Sequence, residues 1–335
     1  MSRLAAFLDP GRDLAATLRQ TGLADVLGYE AIYDNHILGR DGLSTLAHYG
    51  TVTNHARLGT GVYPAFLMSP VALAQRAATL DEVLDGRLTL GIGTSHREVI
   101  EGMHGLDFPA SPLTAMREII TILRALFTDG AVDFEGEHYT ARFTFRGFTP
   151  RPDIRIEVAA LGPRMLQLAG ELADGVLLWL CDDRYIREIA LPNIREGAER
   201  AGRDPDAIDV IPAVTCALVD DDPAGAESAF RRSLVTYLSL PFYRSMLVDS
   251  GYGTVLGQFD AAMGAADFEG AMAAMPREMI DTLGCIGTAE DVRRTLERYR
   301  DAGATLPAIG PLTAAGTQSA DQVLVAAMGK ESRAA

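Results

Sequence analysis

The residues of this chain best suited to chemistry fall in one run, Gly91-Ile92-Gly93-Thr94-Ser95-His96. Two glycines let a ligand approach the backbone closely. A hydroxyl pair and an imidazole follow at once, and a free imidazole changes charge at about pH 6.5. The run closes a short stretch in which Leu88, Leu90 and Ile92 alternate with small residues, as in a buried strand. A helical pattern begins near Arg97. Open α/β sheets and α/β barrels both place ligands at the carboxyl ends of strands.

Similar groups close other strand-like runs. A strand over Glu30 to Tyr33 leads to Asp34-Asn35-His36. His36 and His96 are therefore the candidates for proton transfer; ligand contact or a hydrogen-bonded structural histidine is the alternative for each. The first strand, Arg3 to Leu8, offers Asp9, and the third, Leu58 to Tyr63, offers Thr60-Gly61-Val62. A fifth, Ile154 to Ala159, runs into Ala160-Leu161-Gly162-Pro163-Arg164 ahead of a helix over Pro163 to Leu172. Free N–H groups of a first helical turn suit a phosphate, and Arg164 adds a cation. The same residues also make a plain strand-to-helix turn. Thr94 and Ser95 are expected to open a neighbouring helix and donate to the same phosphate. Trp179, the single tryptophan, ends a sixth strand, either as core packing or as a flat wall beside a ring.

These positions need a scaffold that gathers strand ends on one face. Further strands are expected over Val176 to Leu180, Ile208 to Leu218 and Leu306 to Ile309, with helical patterns between them. Eight strands, most followed by a helix, predict an α/β fold, a (β/α)8 TIM barrel of about 250 residues plus insertions. The barrel domain is expected over 1–315, with a hairpin insertion at about 130–153 turning near Gly136 and a helical lid at about 220–283. A C-terminal helix and tail fill 316–335. The lid carries Tyr237, Phe242 and Tyr243 and must sit over the carboxyl face, as ordinary packing or as a substrate wall. A doubly wound sheet would call for Gly-x-Gly-x-x-Gly near the N-terminus, and none is present.

Composition narrows the class. The chain has 335 residues, 48% hydrophobic and 22% charged, which is ordinary for a soluble globular protein. A net charge of -15 leaves no basic stripe for nucleic acid. No apolar run reaches membrane-spanning length, and the N-terminus does not read as a signal peptide, so a cytoplasmic location is expected. Three widely spaced cysteines and six histidines without paired spacing imply neither a disulfide framework nor a metal site.

Three longer stretches carry a family resemblance: LGTGVYPAFLMSPVALAQRAATLDEVLDGRLTLGIGTSH at Leu58 to His96, AALGPRMLQLAGELADGVLLW at Ala159 to Trp179, and CIGTAEDVRRTLERYRDAGATLPAIGPL at Cys285 to Leu312. They resemble the bacterial-luciferase-like monooxygenase superfamily, and most closely its coenzyme F420-dependent oxidoreductase branch. The resemblance implies a non-proline cis peptide at Gly61-Val62, forming a bulge that backs a tricyclic ring. It places Asn35 and His36 near that ring, and Gly93, Thr94, Ser95, Gly162, Pro163 and Arg164 around a ribityl phosphate. Asp9, Thr60, His96, Ala160, Leu161 and Trp179 complete the candidate cofactor surface at the strand ends. Related sugar-phosphate dehydrogenases carry a glutamate where this chain has His96. That departure implies an imidazole acid, or no side-chain acid there. The implied activity is hydride transfer from C5 of reduced coenzyme F420 to an activated C=C, C=N or C=O of a small-molecule or modified-peptide substrate, a dehydroamino acid among them. The alternatives are an FMN- and oxygen-dependent monooxygenase on the same barrel and a non-catalytic deazaflavin-binding protein. A homodimer is expected, with neither nucleic acid nor membrane as partner.

Overall fold

The computed structural model describes residues 3–36, 38–219, 223–314 and 316–329. Lys330 and the rest of the expected tail lie outside the described residues, as do residues 220–222, where the lid was expected to begin. Eight short apolar segments form parallel strands: β1 (Ala5–Phe7), β2 (Ala31–Asp34), β3 (Arg57–Thr60), β4 (Leu88–Gly93), β5 (Arg155–Ala159), β6 (Gly175–Trp179), β7 (Asp209–Leu218) and β8 (Ala308–Pro311). Each pairs with its successor, and β8 returns to β1 with Ala308 opposite Ala5. The sheet is thus the closed (β/α)8 barrel that the strand pattern predicts.

Successive side chains on a strand point to opposite faces, so each barrel strand buries one set inward and the other against helices. Ala5, Ala31, Tyr33, Leu177, Ile211, Leu306 and Ala308 form the interior cluster, with Phe7, Val62 and Ala159 packed on it. The small residues leave room for Tyr33, whose hydroxyl donates to Glu157 at 2.8 Å. The amino end is plugged by charge: Arg3 and Arg155 reach Asp209 at 2.6 and 2.7 Å, and Arg57 reaches Glu30 at 2.9 Å. Glu157 is fully buried beside this network; burial pushes its carboxyl up to about 7, against the pull of Arg57 and Arg155. The outer helices begin where side chains can cap them. Asp13, Asp41 and Ser69 accept from first-turn N–H groups, and Thr288 forms a capping box with Asp291.

Several boundaries differ from expectation for identifiable reasons. The predicted third strand stops at Thr60, and Tyr63–Pro64 resumes as a separate short strand beside Ile92 and Gly93. The helical stretch expected between the sixth and seventh strands passes through a π-type turn at Ile186–Ala190 before Leu191–Arg200. Pro192 lacks the N–H that a continuous α-helix would use. The hairpin pairs Ala131–Glu135 with Thr140–Thr144. It packs on the helix Pro112–Asp129, where buried Glu118 accepts the N–H groups of Glu137, His138 and Tyr139 at 2.6 to 2.9 Å. One strand was not expected: Gly284–Gly287 pairs with β7, placing Cys285 opposite Cys216. No helix among the described residues is long and apolar enough to cross a membrane.

The break after β3 depends on space at Gly91. A Cβ there would lie 1.8 Å from the Thr60 carbonyl oxygen, a backbone atom that cannot step aside. Gly91→Ala should therefore destabilise the protein by about 1–3 kcal/mol, as overpacking does. Urea denaturation followed by circular dichroism measures this, and an unchanged midpoint would show that the close approach is not required.

Candidate active site

The site is assembled around the segment between β3 and the Tyr63–Pro64 strand. The Gly61–Val62 peptide is cis, the geometry that the resemblance implies. The end of β2 holds this bulge from one side: Gly61 N–H donates to the Asp34 carbonyl at 2.7 Å, and His36 N–H donates to the Val62 carbonyl at 3.3 Å. From the other side, the Thr60 hydroxyl donates to the Gly91 carbonyl at 2.6 Å. A Cβ on residue 61 would lie 2.2 Å from the Phe7 ring, so only glycine fits against that ring. Val62 then joins Phe7 and Ala159 over the interior cluster, making an apolar floor at the barrel mouth.

His36 borders this floor through its N–H to Val62, and His96, beyond the end of β4, stands against the lid rings. His36 Nδ1 accepts from Gly42 N–H at 3.1 Å, which leaves the imidazole proton on Nε2. Its ring lies 4.6 Å from that of Tyr63, and Asp41 stands 3.4 Å from Nδ1. Burial holds its pKa below the ordinary imidazole value, against the opposing pull of Asp41. His96 meets the rings of Phe242 and Tyr243 at 5.9 and 5.7 Å. Burial lowers its pKa as well, against the opposing pull of Glu98. Two neutral imidazoles at neutral pH follow.

The opposite rim is polar. Gly162 begins the helix Pro163–Leu172 with no side-chain cap, and Gly162, Pro163 and Arg164 are exposed. Arg164 has no carboxylate partner among the described residues. The turn before it is fixed by the Tyr185 hydroxyl donating to the Leu161 carbonyl at 2.5 Å, and by Ala160 N–H donating to the Leu177 carbonyl at 3.3 Å. Thr94 and Ser95 are half-buried at the end of β4. They do not open an α-helix, contrary to expectation: a single π-type turn spans Glu98–Met103, and the next helix starts at Pro112. Gly102, Gly105 and Pro109 break the helical pattern between them. Ser95 sits in the left-handed region at φ 56°, and the Thr94 hydroxyl donates to its carbonyl at 3.2 Å.

The remaining expected residues divide. Trp179 faces the mouth, 6.5 Å from the Phe7 ring and 5.5 Å from that of Tyr237. Asn35 is half-buried beside His36. Asp9 is exposed, and its carboxylate accepts Gly11 N–H at 2.9 Å within its own turn. Thr60 is fully buried with its hydroxyl committed to Gly91, so it acts on the bulge instead of facing the mouth. Two residues here escaped the sequence reading. Phe7 follows from strand alternation with Ala5. Asp34 carries no local signal: only the packed fold reveals that it is 1% exposed, with neither carboxylate oxygen accepting a well-formed hydrogen bond. Burial, then the neighbouring Asp9, push its carboxyl up to about 8.

With that geometry established, similarity to known proteins becomes informative. Residues 1–306 match the profile of the luciferase-like monooxygenase family, so the chain belongs to that family and is an enzyme of the luciferase-like class. It is 30% identical over 289 residues to a 5,10-methylenetetrahydromethanopterin reductase of Methanolobus tindarius, covering 84% of this chain and 86% of that one. The coenzyme F420 dependent tetrahydromethanopterin reductase of Methanopyrus kandleri superposes with a TM-score of 0.83 at 24% identity, covering 97% of each chain. An F420-dependent secondary alcohol dehydrogenase, solved with an F420-acetone adduct, gives 0.76 at 18% identity, covering 92% of this chain and 93% of that one. The two structural likenesses establish the fold.

A buried acid whose pKa rises on folding is best tolerated when protonated. Its contribution to stability is fully present below the unfolded value, near pH 4, and is lost as pH climbs through about 8. Asp34→Asn should therefore melt about 3 °C or more above the wild type at pH 8, with the gap closing toward pH 4. Thermal melts across that range test this, and a constant gap would refute it.

Proposed function

We propose that this chain is a coenzyme F420-dependent oxidoreductase that reduces an activated C=C, C=N or C=O in a small organic or modified-peptide substrate, working as a homodimer. The observation that carries the reading is the pairing of an apolar floor with an uncapped helix start on one barrel mouth. Val62, Phe7 and Ala159 offer a surface fit for a flat tricyclic ring. The Pro163–Leu172 N-terminus and unpaired Arg164 offer a fit for an attached phosphate. Reductase relatives support the same choice over FMN.

When bound, a reduced deazaflavin supplies a hydride, and so the two electrons of the reduction. The protein positions substrate and supplies the accompanying proton. His36, with its proton on Nε2, and His96, beside the lid rings, are the groups able to deliver it. Their lowered pKa values leave the imidazoles mostly neutral, so the proton is delivered by the imidazolium form, charged from water and more populated as pH falls. Asn35 borders the ring position as a polar contact. The floor and the lid exclude water from the reacting atoms.

Titration of the protein with coenzyme F420 and with FMN, followed by quenching of Trp179 fluorescence, tests this. Coenzyme F420 should bind at least about 10-fold more tightly, and Gly162→Asp should abolish its binding by setting a carboxylate against the phosphate. Preference for FMN, or normal binding by the variant, would overturn the assignment. In the same titration His96→Ala and His36→Ala should keep coenzyme F420 affinity within a few-fold, as proton carriers do; loss of binding would make them cofactor contacts.

A further inference from the structure

One set of side chains has no part in holding the cofactor. The helices Ala224–Leu238 and Pro241–Asp249 bring Tyr237, Phe242 and Tyr243 across the barrel mouth. The Tyr237 ring lies 5.5 Å from Trp179 and 5.1 Å from Tyr243. Tyr243 and Phe242 both meet His96, and Trp179 meets Phe7 on the floor. An unbroken aromatic wall thus runs from the floor to the histidine. The planes along it are inclined by 42 to 81°, so no two rings stack face to face and ring faces remain free for another partner.

Two features set this wall apart from ordinary packing. Phe242 is 53% exposed although it abuts His96, leaving a large apolar ring facing water at the mouth. Trp179 Nε1–H is buried and makes no well-formed hydrogen bond among the described residues, the Tyr237 hydroxyl being its neighbouring acceptor. Buried donors without a well-formed bond are rare, and a functional role is one explanation for them. Tyr237 packs on this indole, so a ligand reaches Nε1 as Tyr237 gives way.

We infer that the substrate is a planar conjugated carbonyl compound whose ring stacks on Tyr237, Phe242 and Tyr243 and whose oxygen accepts from Trp179 Nε1–H. This rests on the proposed function, because it places the substrate where the cofactor ring and the histidines meet. The three lid residues are then specificity-determining, and Trp179 positions the carbonyl. A flat ring gains the quadrupolar contacts of aromatic pairing beyond plain burial, and a puckered ring of similar size does not.

A matched pair of ligands separates these terms. The enones 4-phenylbut-3-en-2-one and 4-cyclohexylbut-3-en-2-one share a reacting group and differ in ring planarity. Isothermal titration into protein saturated with coenzyme F420 should show the phenyl compound binding about 5-fold or more tightly. Replacing both Phe242 and Tyr243 by leucine should cut that ratio below about 2-fold while coenzyme F420 affinity is kept. Trp179→Phe retains a ring but removes the N–H, and should weaken both enones alike by about 5- to 10-fold. Equal affinity for the pair, no saturable binding of either, or an unchanged ratio in the leucine variant would overturn the inference. Failure of coenzyme F420 itself to bind would count against the proposed function instead, and the ring preference would then be read on cofactor-free protein.

Discussion

The mouth of this barrel depends on one close approach, the Thr60 carbonyl lying over the Cα of Gly91. It ends β3 early and turns the chain into the Gly61–Val62 bulge. Hydrogen bonds from Gly61 to Asp34, from His36 to Val62 and from Thr60 to Gly91 then tie three adjacent strand ends into one unit. Because His36 N–H is itself one of these ties, the imidazole is placed by the same contacts that raise Val62 onto the floor. A regular strand in place of the bulge would return Val62 to barrel alternation and leave His36 without its anchor.

The two ends of the barrel are built on opposite principles. At the amino end Arg3, Arg57 and Arg155 interlock with Glu30, Glu157 and Asp209, so each charge meets an opposite one, although Arg155 Nε is left without an acceptor among the described residues. At the carboxyl end, among the described residues, Arg164 has no carboxylate, the Pro163–Leu172 helix has no side-chain cap, and neither Trp179 Nε1 nor the Asp34 carboxylate makes a well-formed hydrogen bond. Buried polar groups left without a hydrogen bond are few in folded proteins, and a ligand or a catalytic role is one explanation for them.

Much of the architecture was legible because it rests on local rules. Alternation in Leu88, Leu90 and Ile92 marked a strand, and Pro163 marked a helix start. Once strand ends were located, barrel topology alone placed His36, His96 and Trp179 on one face. What stayed hidden depends on contacts distant in sequence. Asp34 reads like any loop acid until Asp9 and the Gly42–Gly50 helix close around it. The helical pattern that begins near Arg97 yields only the π-type turn Glu98–Met103, because Gly102, Gly105 and Pro109 stop it from continuing. Gly284–Gly287 is too short to show a period, and it becomes a strand only because β7 offers it an edge. The pairing of lid rings with His96 and Trp179 spans about 60 to 150 residues of sequence, beyond the reach of any local pattern.

The proposed function depends on where the tricyclic ring and its phosphate settle. The most direct measurement is a crystal structure of the protein grown with coenzyme F420. The expected result is electron density for a flat ring against Val62, beneath His36 and His96, with phosphate density at Gly162 to Arg164. Ring density anywhere other than the barrel mouth, or a phosphate bound away from that helix start, would contradict it.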